Sequence, residues 1–108
     1  MFNELNKLGV YMDNNTQSFP TLSLETKTLV ASLAVESFLF RSRSHVNVVT
    51  NAVEGSISLF VYVDGKAEKS YLILLGDKDA TEKLTLALAE VRRFKRTGTF
   101  NLNLKLAS

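Results

Sequence analysis

Residues 46–75 read VNVVTNAVEGSISLFVYVDGKAEKSYLILL, and two tight-turn signals divide them. Glu54-Gly55 and Asp64-Gly65 suit two-residue hairpin loops, whose central residues need positive φ. Asp-Gly is the stronger signal of the two. The loops define predicted strands at 46–53, 56–63 and 66–75, and they set the register. Val53 falls opposite Ser56, Ala52 opposite Ile57, Thr50 opposite Leu59, Val48 opposite Val61 and Val46 opposite Val63. Across the second loop Val63 falls opposite Lys66, Leu59 opposite Ser70 and Ile57 opposite Leu72. One face is apolar and has to be covered. The other collects Asn47, Val49, Asn51, Ser58, Phe60, Tyr62, Lys69 and Tyr71. A slip of one residue would exchange the faces, so this reading depends on the two loops.

The cover comes from the next segment. Asp79 followed by Glu82 marks a helix start. Ala80, Leu84, Ala87, Leu88, Val91 and Phe94 form one apolar stripe, and Gly98 suits a left-handed C-cap. The expected helix spans 80–97 and packs on the Ile57/Leu59/Val61 face. Beyond it Phe100, Leu102, Leu104 and Leu106 alternate with polar residues, which predicts a final strand over 99–106. Residues 22–40 mix helix formers with β-branched residues. A helix is favoured, and a short strand at 21–26 followed by a helix, or two strands, are the alternatives. Residues 1–20 read as an N-terminal arm closed by Pro20, with Phe2, Leu5 and Leu8 on one side of a short helix. The arm either frays or docks on a neighbouring subunit. The expected fold is α+β, an antiparallel sheet of three or more strands backed by a helix, in a single domain over 21–108.

Composition narrows the function classes. The chain has 108 residues, 45% hydrophobic and 22% charged, with net charge +2. That supports one modest core. Residues 1–40 carry two Lys against four acids, whereas 41–108 carry eleven Lys and Arg against seven acids. The basic bias therefore falls on the half with the aromatic sheet face. Without Cys there is no disulfide frame, and the single His45 cannot build a metal site. No apolar run reaches a membrane span, and the first residues do not form a secretion signal. The expectation is a cytoplasmic protein with no cofactor, no metal and no membrane partner.

The polar and aromatic face carries the functional reading. Phe60, Tyr62 and Tyr71 can stack bases at roughly 1–3 kcal/mol each. Lys69 can meet a phosphate, and Asn47 and Asn51 can bond base edges. Arg92, Arg93, Lys95 and Arg96 at the helix end, with Arg41 and Arg43 in the 41–45 connection, extend the basic track. The competing readings are a second core layer for the aromatics and compensation of the helix dipole for the cations. No phosphate loop is present, since Gly76-Asp77-Lys78 lacks the required glycines. Asp64, Asp77 and Asp79 read as turn and cap residues, so no catalytic residue is expected.

The order strand–strand–strand–helix over 46–97 resembles small single-strand-binding domains of the Whirly and Pur type. The resemblance rests on element order and composition, covers about half the chain and has no diagnostic motif. It implies a curved sheet that carries nucleic acid, a supporting helix and a homo-oligomer. A fourth strand requires residues 22–40 to be extended. The short length and Asn-rich chemistry also suit a small phage protein, which would act in the host cytoplasm. The leading expectation is a non-catalytic binder of single-stranded DNA or RNA. The alternative is a protein-interaction module, such as a small inhibitor or adaptor of a host enzyme, since Tyr and Arg also dominate protein interfaces. A third reading makes the chain a structural subunit whose final strand completes a partner's sheet.

Overall fold

Asp64 and Gly65 both adopt positive φ, 52° and 84°, and close a two-residue loop between β2 (Ser56–Val63) and β3 (Lys66–Leu74). With β1 (His45–Asn51) they form one antiparallel sheet in the order β1-β2-β3. The computed structural model describes residues 21–104. The arm at 1–20 and the last two positions of the expected final strand lie outside the described residues.

The two loops behave differently. The β1–β2 connection is a four-residue loop over 52–55, not the expected two, and Asn51 pairs with Ser56. Asn51 organises it, because its carbonyl accepts from Gly55 N–H at 2.8 Å and its Oδ1 accepts from Glu54 N–H at 3.0 Å. Thr50 therefore pairs with Ile57 and Val48 with Leu59. This is a shift of two residues, which moves every partner but leaves each side chain on its expected face.

In the second hairpin an irregularity between Val61 and Tyr62 leaves Glu68 without a partner. Beyond it Leu59 pairs with Tyr71 and Ile57 with Ile73. This one-residue slip reverses the expected faces of β3 from Lys69 onward. Ser70 and Leu72 move to the outer face, and Lys69, Tyr71 and Ile73 move to the inner one. The physical reason is visible in the pairing. The regular register would set the Ser70 hydroxyl opposite Leu59 in the core, whereas the bulged one places Tyr71 and Ile73 there.

Both helices cover the inner face. α2 (Ala80–Thr97) buries the expected stripe of Ala80, Leu84, Ala87, Leu88, Val91 and Phe94, and Gly98 ends it at φ 77°. Asp79 makes no side-chain capping bond. Its carboxylate instead lies 3.5 Å from Lys83. Residues 22–40 contain α1 (Leu24–Ser37) and no strand. α1 packs beside α2 and over β1, and α2 packs over β3. Thr26 Oγ1 lies 3.3 Å from Thr81 Oγ1, both near helix starts, and Glu36 contacts Arg92 and Lys95 near both helix ends. The helices therefore run in the same direction. Leu33 joins Val46, Ile57, Leu59, Val61, Ile73 and the α2 stripe in one core.

Ser23 caps α1, accepting from Thr26 N–H at 3.1 Å. Ser23→Ala is expected to lower stability by about 1 kcal/mol, read as a urea midpoint shift.

The expected final strand is not formed within the described residues, since 99–104 pair with no strand. The alternation has another use. Phe100 lies 5.4 Å edge-on from Phe94 and 5.7 Å from Tyr71, and Leu102 is buried. Asn101 N–H donates to Glu90 Oε2 at 2.7 Å. The tail fills the space between α2 and β3 with its apolar side chains, without backbone pairing to the sheet.

Candidate binding face

With both helices on the inner side, the outer face of the sheet carries no layer among the described residues. Its rows follow from the register. His45, Tyr62 and Ala67 form one, then Asn47, Phe60 and Ser70, then Val49, Ser58 and Leu72, then Asn51, Ser56 and Leu74. Val49 is 47% exposed, Phe60 37%, Leu72 50% and Leu74 37%. His45 and Tyr62 stack at 4.9 Å with an 11° tilt. These rows contain no Lys, Arg, Asp or Glu. The rows are amphipathic, with an apolar diagonal running from Phe60 to Leu74, and one carboxylate reaches their end, where buried Ser56 donates to Glu54 Oε1 at 2.8 Å.

The expected site residues separate into two groups. Asn47, Asn51, Phe60 and Tyr62 share the outer face. Lys69 and Tyr71 do not, because the bulge at Glu68 turns them toward the helices. Tyr71 packs under Phe100, and Lys69 lies near enough to Glu90 for its charge to favour the ionised carboxylate. Leu72 and Leu74 take their place beside the expected Val49, and His45 stands at the end of the face. Sequence alternation missed Leu72 and Leu74 because residues 71–75 are all apolar and carry no parity. The only available signal was the poor fit of Ser70 opposite Leu59.

The basic track is also redistributed. Arg92 Nε lies 3.3 Å from Glu36 Oε2, and Lys95 bonds the other Glu36 oxygen while its ammonium sits 5.6 Å from the Phe40 ring centroid. Arg93 donates to Glu90 Oε1 at 3.0 Å and to the Thr99 carbonyl at 3.1 Å. Arg96 reaches the Arg92 carbonyl at 3.4 Å. These four cations end the helical layer, on the side of the sheet opposite the open face. Arg41 lines a groove with Phe40, Phe94 and Lys95. Arg43 lies over the β2–β3 turn, where its carbonyl accepts from Gly65 N–H at 3.0 Å. A Cβ on Gly65 would lie 2.5 Å from Arg43 Nη2, which the flexible Arg43 side chain can relieve by moving, so it is the positive φ of 84° that calls for glycine.

Both bridging glutamates are held below the ordinary value of 4.5. For Glu36 the hydrogen bond from Lys95 outweighs the desolvation that opposes it, and Arg92 adds to it. For Glu90 the hydrogen bond from Arg93 does the same, helped by Asn101 N–H. The folded state thus holds these protons more weakly than the unfolded chain. Their stabilisation is present above about pH 4.5 and is lost as pH falls through the folded values. Urea midpoints measured from pH 7 down to about 3 are expected to drop at the acid end. In Glu36→Gln/Glu90→Gln that acid limb should flatten while stability at pH 7 decreases.

A cleft of about 320 Å³ opens at the far end of the sheet, lined by Leu22, Val30, Thr50, Ile57 and Leu75 among others. Among the described residues no His, Cys, Asp and Glu cluster able to hold a metal is present, and no helix is long and apolar enough to cross a membrane. Comparison with known proteins finds no matching family model, no similar curated protein and no similar solved structure.

Proposed function

We propose that this chain is a non-catalytic binding module that docks a protein partner on its open sheet face. The observation that supports this reading is the pairing of exposure with neutrality. Val49, Phe60, Leu72 and Leu74 are exposed together on rows that hold no charged residue. Protein interfaces are depleted of charge and enriched in aromatics at their centre, with a polar rim. Asn47, Asn51 and Ser70 supply such a rim, on the two edge strands. A polyanion asks for something else, because phosphate contacts need cations. The helix-end cations are already bonded to Glu36, Glu90 and backbone carbonyls on the opposite side of the sheet.

The test compares proteins captured by immobilised wild type with those captured by Phe60→Ser/Leu72→Ser, at low and high salt. A partner retained at high salt and lost with the variant is the expected result. Identical capture by both baits would remove the face from the function.

A second reading is a single-stranded nucleic-acid binder, in line with the resemblance to Whirly and Pur domains. One observation favours it. Exposed Phe60 and the His45/Tyr62 stack lie toward the end of the sheet where Arg43 packs on Gly65. Their π-faces suit unpaired bases. The fourth strand of that resemblance has no counterpart in residues 24–37, which are helical. Anisotropy of labelled single-stranded and duplex oligonucleotides at two salt concentrations separates the readings. Tight binding to single strands that weakens steeply with salt, and weakens again in Phe60→Ala/Tyr62→Ala, would replace the protein partner by a nucleic acid.

A further inference from the structure

Each edge of the three-stranded sheet offers a row of backbone donors and acceptors, and folded proteins guard such rows with charges, proline, bulges or cover. The two edges here are guarded very differently. β3 carries Lys66 and Lys69, its ladder is interrupted at Glu68, and Phe100 of the tail packs on Tyr71 along its flank. β1 reads HVNVVTN. It has no Lys, Arg, Asp, Glu or Pro, its register to β2 is unbroken, and three of its seven residues are Val. Among the described residues no strand pairs with its outer edge. α1, which packs over β1, leaves Val35 exposed, and the connection after it leaves Phe38 and Leu39 exposed.

We propose that β1 pairs antiparallel with β1 of a second copy of this chain about a two-fold axis, joining the two sheets into one of six strands. The sequence of β1 suits itself as a partner. Antiparallel self-pairing keeps inner residues opposite inner residues only when the two position numbers sum to an even value. Centring the axis on Val48 satisfies this and engages every residue of the strand. His45 then faces Asn51 of the second copy, Val46 faces Thr50, Asn47 faces Val49, and Val48 faces its own equivalent. The inner positions Val46, Val48 and Thr50 extend the core across the axis, and partly buried Val48 gains cover. The outer positions carry Asn47 and Val49 across the seam, so the two open faces become one continuous surface. No like charges meet anywhere along the pairing. The pairing is independent of what the open face binds.

The experiment is the mass of the full chain in solution by light scattering on a sizing column, from low to high micromolar concentration. The expected mass approaches twice the 12.0 kDa of one chain. In Asn47→Lys/Val49→Lys like charges stand directly opposite at the seam, and the mass is expected to halve. Both positions are exposed, and an unchanged circular dichroism spectrum and unfolding transition would show that the fold persists. Asn47→Glu/Val49→Glu should also be monomeric, and mixing the two variants should restore the doubled mass. Phe60→Ser/Leu72→Ser alters the open face away from the edge and should leave the dimer intact. A monomeric wild type would overturn the proposal. So would a dimer indifferent to the seam charges, or one that Phe60→Ser/Leu72→Ser dissociates, since the latter would be joined face to face.

Discussion

Leu59→Lys is expected to abolish cooperative unfolding, whereas Phe60→Lys, one position along the same strand, is expected to retain it with a loss of about 1–2 kcal/mol. Leu59 is fully buried in the central strand, with Val48 on one side and Tyr71 on the other. An ammonium group there has no water and no carboxylate to meet. Several kcal/mol of desolvation would fall on a domain whose whole stability is about 5–15 kcal/mol. Phe60 stands between Asn47 and Ser70 on the open face, where a lysine stem can lie along the sheet and its charge can reach water. Urea unfolding followed by circular dichroism reads both variants. The contrast tests the assignment of faces directly. If Phe60→Lys were the variant that unfolds, a layer would have to cover the outer face and the proposed binding surface would not exist. Folded Phe60→Lys also gives a bait that should fail to retain the partner.

How far the sequence reveals this arrangement depends on how local each signal is. The helix at 80–97 is legible because its stripe repeats over about four turns and Gly98 stands where a left-handed cap is needed. The Asp64-Gly65 loop is legible because two adjacent positive φ angles restrict the residues that fit. Glu54-Gly55 misleads by two residues, since the loop is organised from Asn51, whose side-chain bond to Glu54 N–H no dipeptide rule contains. That error is harmless to the faces because two is the period of a strand. The bulge at Glu68 is the costly one. It shifts β3 by a single residue, so Lys69 and Tyr71 leave the expected platform and Leu72 and Leu74 join it. Nothing in 71–75 signals this locally, because five consecutive apolar residues suit either face. The ion pairs of Glu36 with Arg92 and Lys95 span more than fifty positions. They depend on the parallel packing of α1 on α2, and a charge run at a helix end cannot announce it. The tail at 99–104 shows the converse case. A period of two is a statement about which side chains are covered, and Phe100 and Leu102 are covered without any ladder.

Phe94→Ala is the second substitution expected to have a large effect, about 3–5 kcal/mol. Phe94 is the largest of the fully buried side chains. Its ring lies 5.4 Å from Phe40 at 47° and 5.4 Å from Phe100 at 86°. Phe40 belongs to the connection between α1 and β1, and Phe100 belongs to the tail that packs on Tyr71 of β3. Removing the ring therefore leaves a cavity where three segments distant in sequence meet, and it also removes two aromatic pairs worth about 0.5–1.5 kcal/mol each. The loss is unlike that of a residue buried within one layer, because the tail joins no strand within the described residues. With Phe94 gone, the Phe100–Tyr71 contact, buried Leu102 and the bonds of Glu90 and Arg93 to Asn101 and Thr99 still touch the tail. The bonds to Asn101 and Thr99 are exposed polar contacts, individually weak. Two measurements follow. The urea midpoint should fall by the equivalent of about 3–5 kcal/mol, and the Asn101 amide should exchange with solvent at a rate far above that in the wild type under native conditions. A loss below about 1.5 kcal/mol with the Asn101 amide still protected would show that the tail is held by its hydrogen bonds. The aromatic cluster would then be filler, not the joint between α2, β3 and the connection that leads into the β1 edge.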